Sequence, residues 1–306
     1  MTAYLLRRIF QIIPIIVGIT LIVFVLLRAT GDPVRLLLPI DASEEQIIRL
    51  RESLGLDRPL YEQYGLYLRD LLRGDFGMSL RYRNQDAFEI VVERLPATLQ
   101  LTGAALVVAV LLSLPTGIIA AVYRNRWPDQ VATAFSVLGQ AMPNFWVGIM
   151  LILLFAERLR WLPASGRGSV TSVILPALAL GTSLAALLMR LMRSSLLEVL
   201  NQDYVRTAKA KGLQALRVLN KHALRNAMLS YITVLGLNFA GLMAGAVVTE
   251  QVFAWPGIGL LTVQAIASRD MAVVQTVVIV ASLIVMLVNV LVDVCYALID
   301  PRITYG

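Results

Sequence analysis

The chain has 306 residues, 58% of them hydrophobic and only 15% charged. A soluble domain carries about 25% charged residues, and the deficit here sits in apolar runs of roughly 20 residues, the length a helix needs to cross a bilayer core of about 30 Å. That composition excludes a soluble domain and predicts an all-α polytopic membrane protein, in which the net charge of +7 reflects Arg and Lys held on one side of the membrane rather than a nucleic-acid surface.

The first predicted span covers about residues 9–27, after Arg7 and Arg8. It resembles a signal peptide, but no small-residue cleavage site follows, so it reads as a retained helix. Residues 28–96 differ in kind, with ten Arg and twelve Asp or Glu. Ser43 and Gln46 form a capping-box pattern ahead of an apolar stripe at Ile47, Ile48, Leu50 and Leu54, and Gly55 stops that helix. Pro59 opens a second helix from Leu60, closed by Gly74. A third is expected over about 86–95, ending before Pro96. The stretch therefore reads as a small helical extramembrane insertion. It separates an N-terminal helix (1–27) from a five-helix core (97–306).

In that core, span 2 covers about 97–123 and is followed by the basic turn 124–129. Span 3 covers about 131–155 and includes Gln140, Pro143 and Asn144. Span 4 covers about 172–189, span 5 about 229–250 and span 6 about 273–298. Residues 251–272 are too apolar for a plain loop and too broken by Pro256, Gly257 and Gly259 for a span, which suits a short hairpin at or in the membrane surface. Counting Lys and Arg in the short connections gives 13 on one side and 4 on the other. The positive-inside rule then puts both termini in the cytoplasm and the 28–96 insertion outside.

The stretch 190–226 carries eight Lys or Arg against two acids. It reads as two short helices, 203–214 and 215–227, joined at an angle near Gly212, where glycine supplies the left-handed backbone of a tight turn. Such an element can push an exposed face into a partner's cleft. It can equally lie on anionic lipid, at about 1 kcal/mol per basic residue. Polar residues inside spans are the next candidates: Gln140 and Asn144 on one face of span 3, Asn289 and Asp293 on one face of span 6, and Glu250 at the end of span 5. Each can line a pathway or hydrogen-bond between helices. Small residues at Gly236, Ala240, Gly241, Ala244 and Gly245 favour close packing of span 5.

Enzyme chemistry finds little support. His222 is the one histidine and Cys295 the one cysteine, so no metal site of His pairs or multiple Cys, no cluster and no internal disulfide is expected. No cofactor is expected either. No GxxxxGK[ST] phosphate loop occurs, and Gly257-Ile258-Gly259 is only a GxG. Ser165 has no His or Asp positioned to build a triad.

The run DYVRTAKAKGLQALRVLNKHALRNA (203–227) resembles the coupling-helix motif of permease subunits of binding-protein-dependent ABC importers, above all the peptide, glutathione and nickel branch. Supporting matches occur in order along the chain: Gly31-Asp32-Pro33, Leu54-Gly55-Leu56-Asp57-Arg58-Pro59-Leu60-Tyr61, Gly74-Asp75-Phe76-Gly77, Ile174-Leu175-Pro176, Trp255-Pro256-Gly257-Ile258-Gly259 and Asp300-Pro301-Arg302. Where the broader importer motif has Glu-Ala-Ala, this chain has Arg206-Thr207-Ala208, as in the peptide branch.

The resemblance implies the type I importer permease fold: six transmembrane helices and cytoplasmic coupling helices at about 198–227. Asp203, Tyr204, Arg206, Thr207, Ala208, Lys209, Lys211 and Gly212 would meet an ATPase, and Trp255, Pro256, Gly257 and Gly259 would form an outer hairpin. It also implies a second permease subunit, two cytoplasmic ABC ATPases that hydrolyse the ATP, an extracytoplasmic binding protein, and a place in the lipid of a bacterial inner membrane without nucleic acid. The cargo would be di- or oligopeptides or glutathione, with nickel chelates or opines as the alternative. A self-sufficient secondary transporter would need broken helices repeated in two halves, and no such repeat is visible.

Overall fold

Helix α1 (Thr2–Ala29) starts a computed structural model that describes residues 2–29, 43–53, 55–82 and 85–299, with side chains described for 13–26, 43–53, 55–82 and 85–292. Gly31-Asp32-Pro33, Leu54, Asp300-Pro301-Arg302 and the side chains of Arg7, Arg8, Asp293 and Cys295 lie outside those residues. The described residues fall into two compact units, one running to Leu95 and including Leu261–Met286, the other comprising Pro96–Leu260 and residues from Leu287 on.

In the first unit, α1 is followed by α2 (Glu44–Ser53) and α3 (Leu60–Leu72). The reciprocal capping box at the start of α2 is present: Ser43 N–H donates to Gln46 Oε1 at 3.0 Å and Gln46 N–H to Ser43 Oγ at 3.3 Å. Gly55 and Gly74 both take positive φ where the chain leaves a helix. Helix α3 is held to α1 by aromatic packing of Phe24 on Tyr64 and Tyr67 and by the Tyr64 hydroxyl, 3.0 Å from Thr20 Oγ1 and donating to Val17 O at 3.0 Å. A buried carboxylate, Asp270, organises the rest. It accepts from Ser79 Oγ at 2.5 Å, from Arg81 N–H at 3.1 Å and from Val273 N–H at 3.4 Å, tying the 79–82 loop to the start of a helix at Met271.

Helix α4 (Ala87–Val122) corrects the expectation of a stop before Pro96: it runs through both Pro96 and Pro115. Proline removes one hydrogen bond and crowds the preceding turn, and a long apolar helix absorbs that loss. The expected single span 3 is likewise corrected. It is two helices, α5 (Trp127–Ala141) and α6 (Asn144–Leu151, extended by a π-helical turn Ile152–Arg158), bent by 105°. Met142 takes the extended conformation that residues before proline prefer, at φ −85° and ψ 127°. Gln140 and Asn144 therefore share no face.

Helix α7 (Ile174–Leu200) follows a 3₁₀ turn at Val170–Val173 and is the axis of the second unit. It packs on α5, α6, α10 (Arg225–Leu237) and α11 (Phe239–Val252). Glycine makes the closest approaches possible: a Cβ on Gly181 would sit 2.6 Å from Ala105 O, and one on Gly117 would sit 2.8 Å from Met192 Cβ. Ser113 Oγ and Tyr231 Oη meet at 2.6 Å in this interior.

The chain continues through α8 (Asp203–Ala210) and α9 (Ala215–Arg217), the latter running through a π-helical segment Val218–Leu224 into α10. Helices α12 (Ile258–Ala267) and α13 (Met271–Ile299) complete it. Three helical stretches, Ala87–Val122, Val170–Leu200 and Met271–Val292, are long and apolar enough to cross a membrane. The bent pairs α5–α6 and Ala215–Leu237 with α11 (46°) raise this to five. The remaining expected span corresponds to α1, whose described apolar part is Ile13–Leu26.

Candidate functional site

The basic stretch is built on a two-sided helix. In α8, Val205 and Ala208 are buried, three residues apart, and join Val218 in a small apolar cluster against Val199, Leu200 and Leu213. That cluster holds α8 to the end of α7 from below. Asp203 in the first turn complements the helix dipole, and Thr207 Oγ1 donates to Asp203 O at 2.9 Å. The helix then ends in a Schellman cap: Gly212 N–H donates to Lys209 O at 2.9 Å and Leu213 N–H to Ala208 O at 3.4 Å, with Gly212 at φ +76°.

This cap ends α8 at Ala210, short of the expected 214. The second expected short helix is the opening of a continuous Ala215–Leu237 helix, not a separate unit. Asn226 Nδ2 donates to Tyr204 Oη at 2.7 Å, locking the two limbs at their angle.

Asp203, Tyr204, Arg206, Thr207, Lys209, Lys211 and Gly212 are exposed on this element. Ala208 is not: it faces the apolar cluster, so its expected place on a docking face is corrected, and Val205 shares its anchoring role. Arg206 reaches Asp203 at 3.6 Å, but both side chains are largely in solvent, where such a pair contributes little. Among the described residues Lys209, Lys211, Arg217, Lys221 and Arg225 make no ion pair, so the face stays cationic. His222 lies half-buried beside it.

At the other end of α11 the chain ties a knot. Glu250 is fully buried. Its Oε1 accepts from Thr98 Oγ1 at 2.5 Å and its Oε2 from Leu260 N–H at 2.9 Å. Thr98 Oγ1 in turn accepts from Ile258 N–H at 2.8 Å. Two N–H groups in the first turn of α12, which have no partner within the helix, are thus satisfied by side chains: Ile258 by Thr98 from α4 and Leu260 by Glu250 from α11. A carboxylate here also meets the positive end of the helix dipole.

Two glycines make room: a Cβ on Gly257 would overlap the Glu250 carboxylate and the Thr98 hydroxyl, and one on Gly259 would lie 2.6 Å from Val247 Cα. Trp255, fully buried, donates from Nε1 to Ala97 O at 2.8 Å. Gly166 N–H donates to Phe253 O at 2.9 Å.

Of the pathway candidates, Glu250 is thus a structural cap. Gln140 is exposed, and Asn144 and Asn289 are half-buried. Sequence reasoning missed Thr98 and Asp270, and also an ion pair between Asp129 and Arg193, whose side chains are 5% and 28% exposed. In sequence Arg193 is one of the eight Lys and Arg of the 190–226 stretch, with nothing nearby to mark its partner. Among the described residues no group of three or more His, Cys, Asp or Glu could hold a metal ion.

Several helices long and apolar enough to cross a membrane, an exposed cationic two-limbed element between spans 4 and 5, and a buried knot after span 5 are the features of a multi-pass membrane protein. Comparison with known proteins gives the family. Residues 113–305 match the binding-protein-dependent transport system inner membrane component, and residues 1–102 match the N-terminal part of such membrane components. The glutathione transport system permease protein GsiC of Escherichia coli K12, and that of Shigella dysenteriae serotype 1, are 42% identical over 306 residues, all of both chains.

In solved structures the fold recurs in the inward-facing MetNI methionine ABC transporter, with TM-score 0.60, 17% identity, 69% of this chain and 96% of that one. It recurs also in an amino acid ABC transporter with histidines, with TM-score 0.51, 15% identity, 70% and 94%. The chain belongs to the family of binding-protein-dependent transport system inner membrane components: it is a permease subunit of an ABC importer. A self-sufficient secondary transporter, with which two broken spans alone would be compatible, is thereby set aside.

Proposed function

We propose that this permease forms half of a translocation pathway for glutathione or short peptides, with a second permease completing it and two cytoplasmic ATPases docking on α8. The observation that carries the docking is the exposed face Tyr204–Arg206–Lys209–Lys211: its cations lack ion-pair partners within the described chain, apart from the weak Arg206–Asp203 contact, while its opposite side is fixed to α7. A partner with acidic groups in a cleft complements that face better than lipid does, because the angled, capped turn at Gly212 presents an edge rather than a flat stripe. ATP is hydrolysed on the partners, and an extracytoplasmic binding protein delivers cargo. Both termini lie in the cytoplasm on this reading, which the excess of Lys and Arg in the connections on that side supports. Full-length identity to permeases named for glutathione transport supports the cargo class. The test is uptake of glutathione and of dipeptides by the reconstituted complex with its binding protein. Glutathione or dipeptide uptake that needs ATP is expected, and failure to move either while moving a nickel chelate or an opine would overturn the cargo assignment.

A further inference from the structure

Asp129 and Arg193 stand apart from every other charged pair described. Arg193 Nε donates to Asp129 Oδ1 at 2.6 Å and Nη2 to Oδ2 at 2.8 Å, a two-pronged fork. Asp129 also accepts from Asn125 N–H at 2.8 Å and from Thr133 Oγ1 at 3.4 Å. Asn125 takes φ +61°. One carboxylate therefore fixes three things: the tight turn after α4, the first turn of α5, and α7 at Arg193, about three turns before α8 begins at Asp203. The other ion pairs described are surface contacts within one helix or between chain neighbours, whereas this one joins two helices and is largely out of water.

The contacts on either side continue in both directions. Towards the docking stretch, α8 rests on Val199 and Leu200 at the end of α7 through Val205 and Ala208. In the other direction α5 turns through the 105° bend at Met142-Pro143 into α6. There Gly148 lies against Phe253, so closely that a Cβ would be 3.0 Å from the ring, and Phe253 belongs to the segment that closes the Glu250 knot. Helices α5 and α7 also meet closely at Gly139, where a Cβ would be 3.1 Å from Ala186 Cβ, and the fork adds to that apolar contact a link of fixed direction.

We propose that Asp129 and Arg193 are a positioning pair that makes α5 move with α7, carrying motion from the docking stretch to the α6–Phe253 contact. This rests on the ATPase-docking reading above. A chain of contacts alone does not establish coupling, so the test measures it.

Asp129→Asn, Arg193→Gln and the exchange Asp129→Arg with Arg193→Asp would be placed in the complete transporter, in a Cys295→Ser background carrying Lys209→Cys. Three quantities are read in the same proteoliposomes: ATP hydrolysed, cargo moved, and cross-linking of position 209 to the ATPase. Each single variant is expected to cross-link and hydrolyse ATP as the parent does while moving about tenfold less cargo per ATP, within the usual range of site-to-site coupling; the exchange, which restores the ion pair but leaves Asn125 N–H without its acceptor at 129, should recover part of the ratio. An unchanged ratio in the single variants, or loss of hydrolysis and transport together that the exchange does not repair, overturns the pair's role. Absence of the cross-link in the parent instead overturns the docking reading.

Discussion

The docking stretch and the Glu250 knot lie at the two ends of one helical stretch bent by 46°, yet they treat charge in opposite ways. In the knot a buried carboxylate is surrounded by donors from its own chain, and glycines at 257 and 259 remove whatever would push them apart. In the docking stretch Lys209, Lys211 and Arg217 stand exposed and unpaired among the described residues, and only the apolar underside of α8 is committed. A buried charge must be satisfied within the fold, because leaving it unpaired costs several kcal/mol. An exposed one can wait for a partner at almost no cost. The knot therefore serves the stability of the fold, and the stretch keeps its charges exposed, as the proposed association with an ATPase requires.

The comparison is tested most severely at Glu250. Glu250→Ala leaves the Thr98 hydroxyl and the Leu260 N–H of α12 without an acceptor, at about 1–3 kcal/mol each. Thermal unfolding in detergent should show a loss of about 3 kcal/mol or more, and Glu250→Gln a much smaller one, since its amide oxygen still accepts. Equal effects of the two would mean that the carboxylate is not acting as a cap.

The docking stretch should respond the other way. Arg206→Glu with Lys209→Glu is expected to leave the unfolding temperature within error and to cut transport by about tenfold. A fall in stability would show that the cations serve the fold.

Gly212→Ala is a smaller perturbation. Nothing lies within 4 Å of a new Cβ, so the cost is that of φ +76° alone, about 1 kcal/mol. The loss should appear as local loosening of α8, read by hydrogen exchange at Gly212 and Leu213, without change in the knot. The mildest change is Trp255→Phe, which keeps a ring in place but removes the donor to Ala97 O, for about 0.5–1.5 kcal/mol of stability and no direct effect on ATPase docking.

What could be read from the sequence was whatever depends on neighbours in the chain. The capping box at Ser43 and Gln46 and the glycine turn at 212 were legible because each is completed within a few residues. The inward face of α8 is the exception: Val205 and Ala208 stand three apart, a local pattern, yet the family motif puts Ala208 on the docking face, and only the packing on Val199, Leu200 and Leu213 shows it buried.

The knot was not legible, since Thr98 and Glu250 are 152 residues apart. Nor was the Asp129–Arg193 fork, which needs the packing of α5 on α7 to be known. Proline shows the limit most clearly. Pro96 sits inside an unbroken helix and Pro143 marks a 105° bend. Local preference is similar at both, and the packing that follows differs, with α6 seating Gly148 against Phe253 only after the bend.

The most direct measurement is cross-linking from single cysteines at positions 209 and 205 in the assembled transporter. Lys209→Cys lies on the outward face of α8 and Val205→Cys on its buried underside. The account predicts an ATPase cross-link from 209 and none from 205. Cross-links from neither position, or equal ones from both, would contradict it.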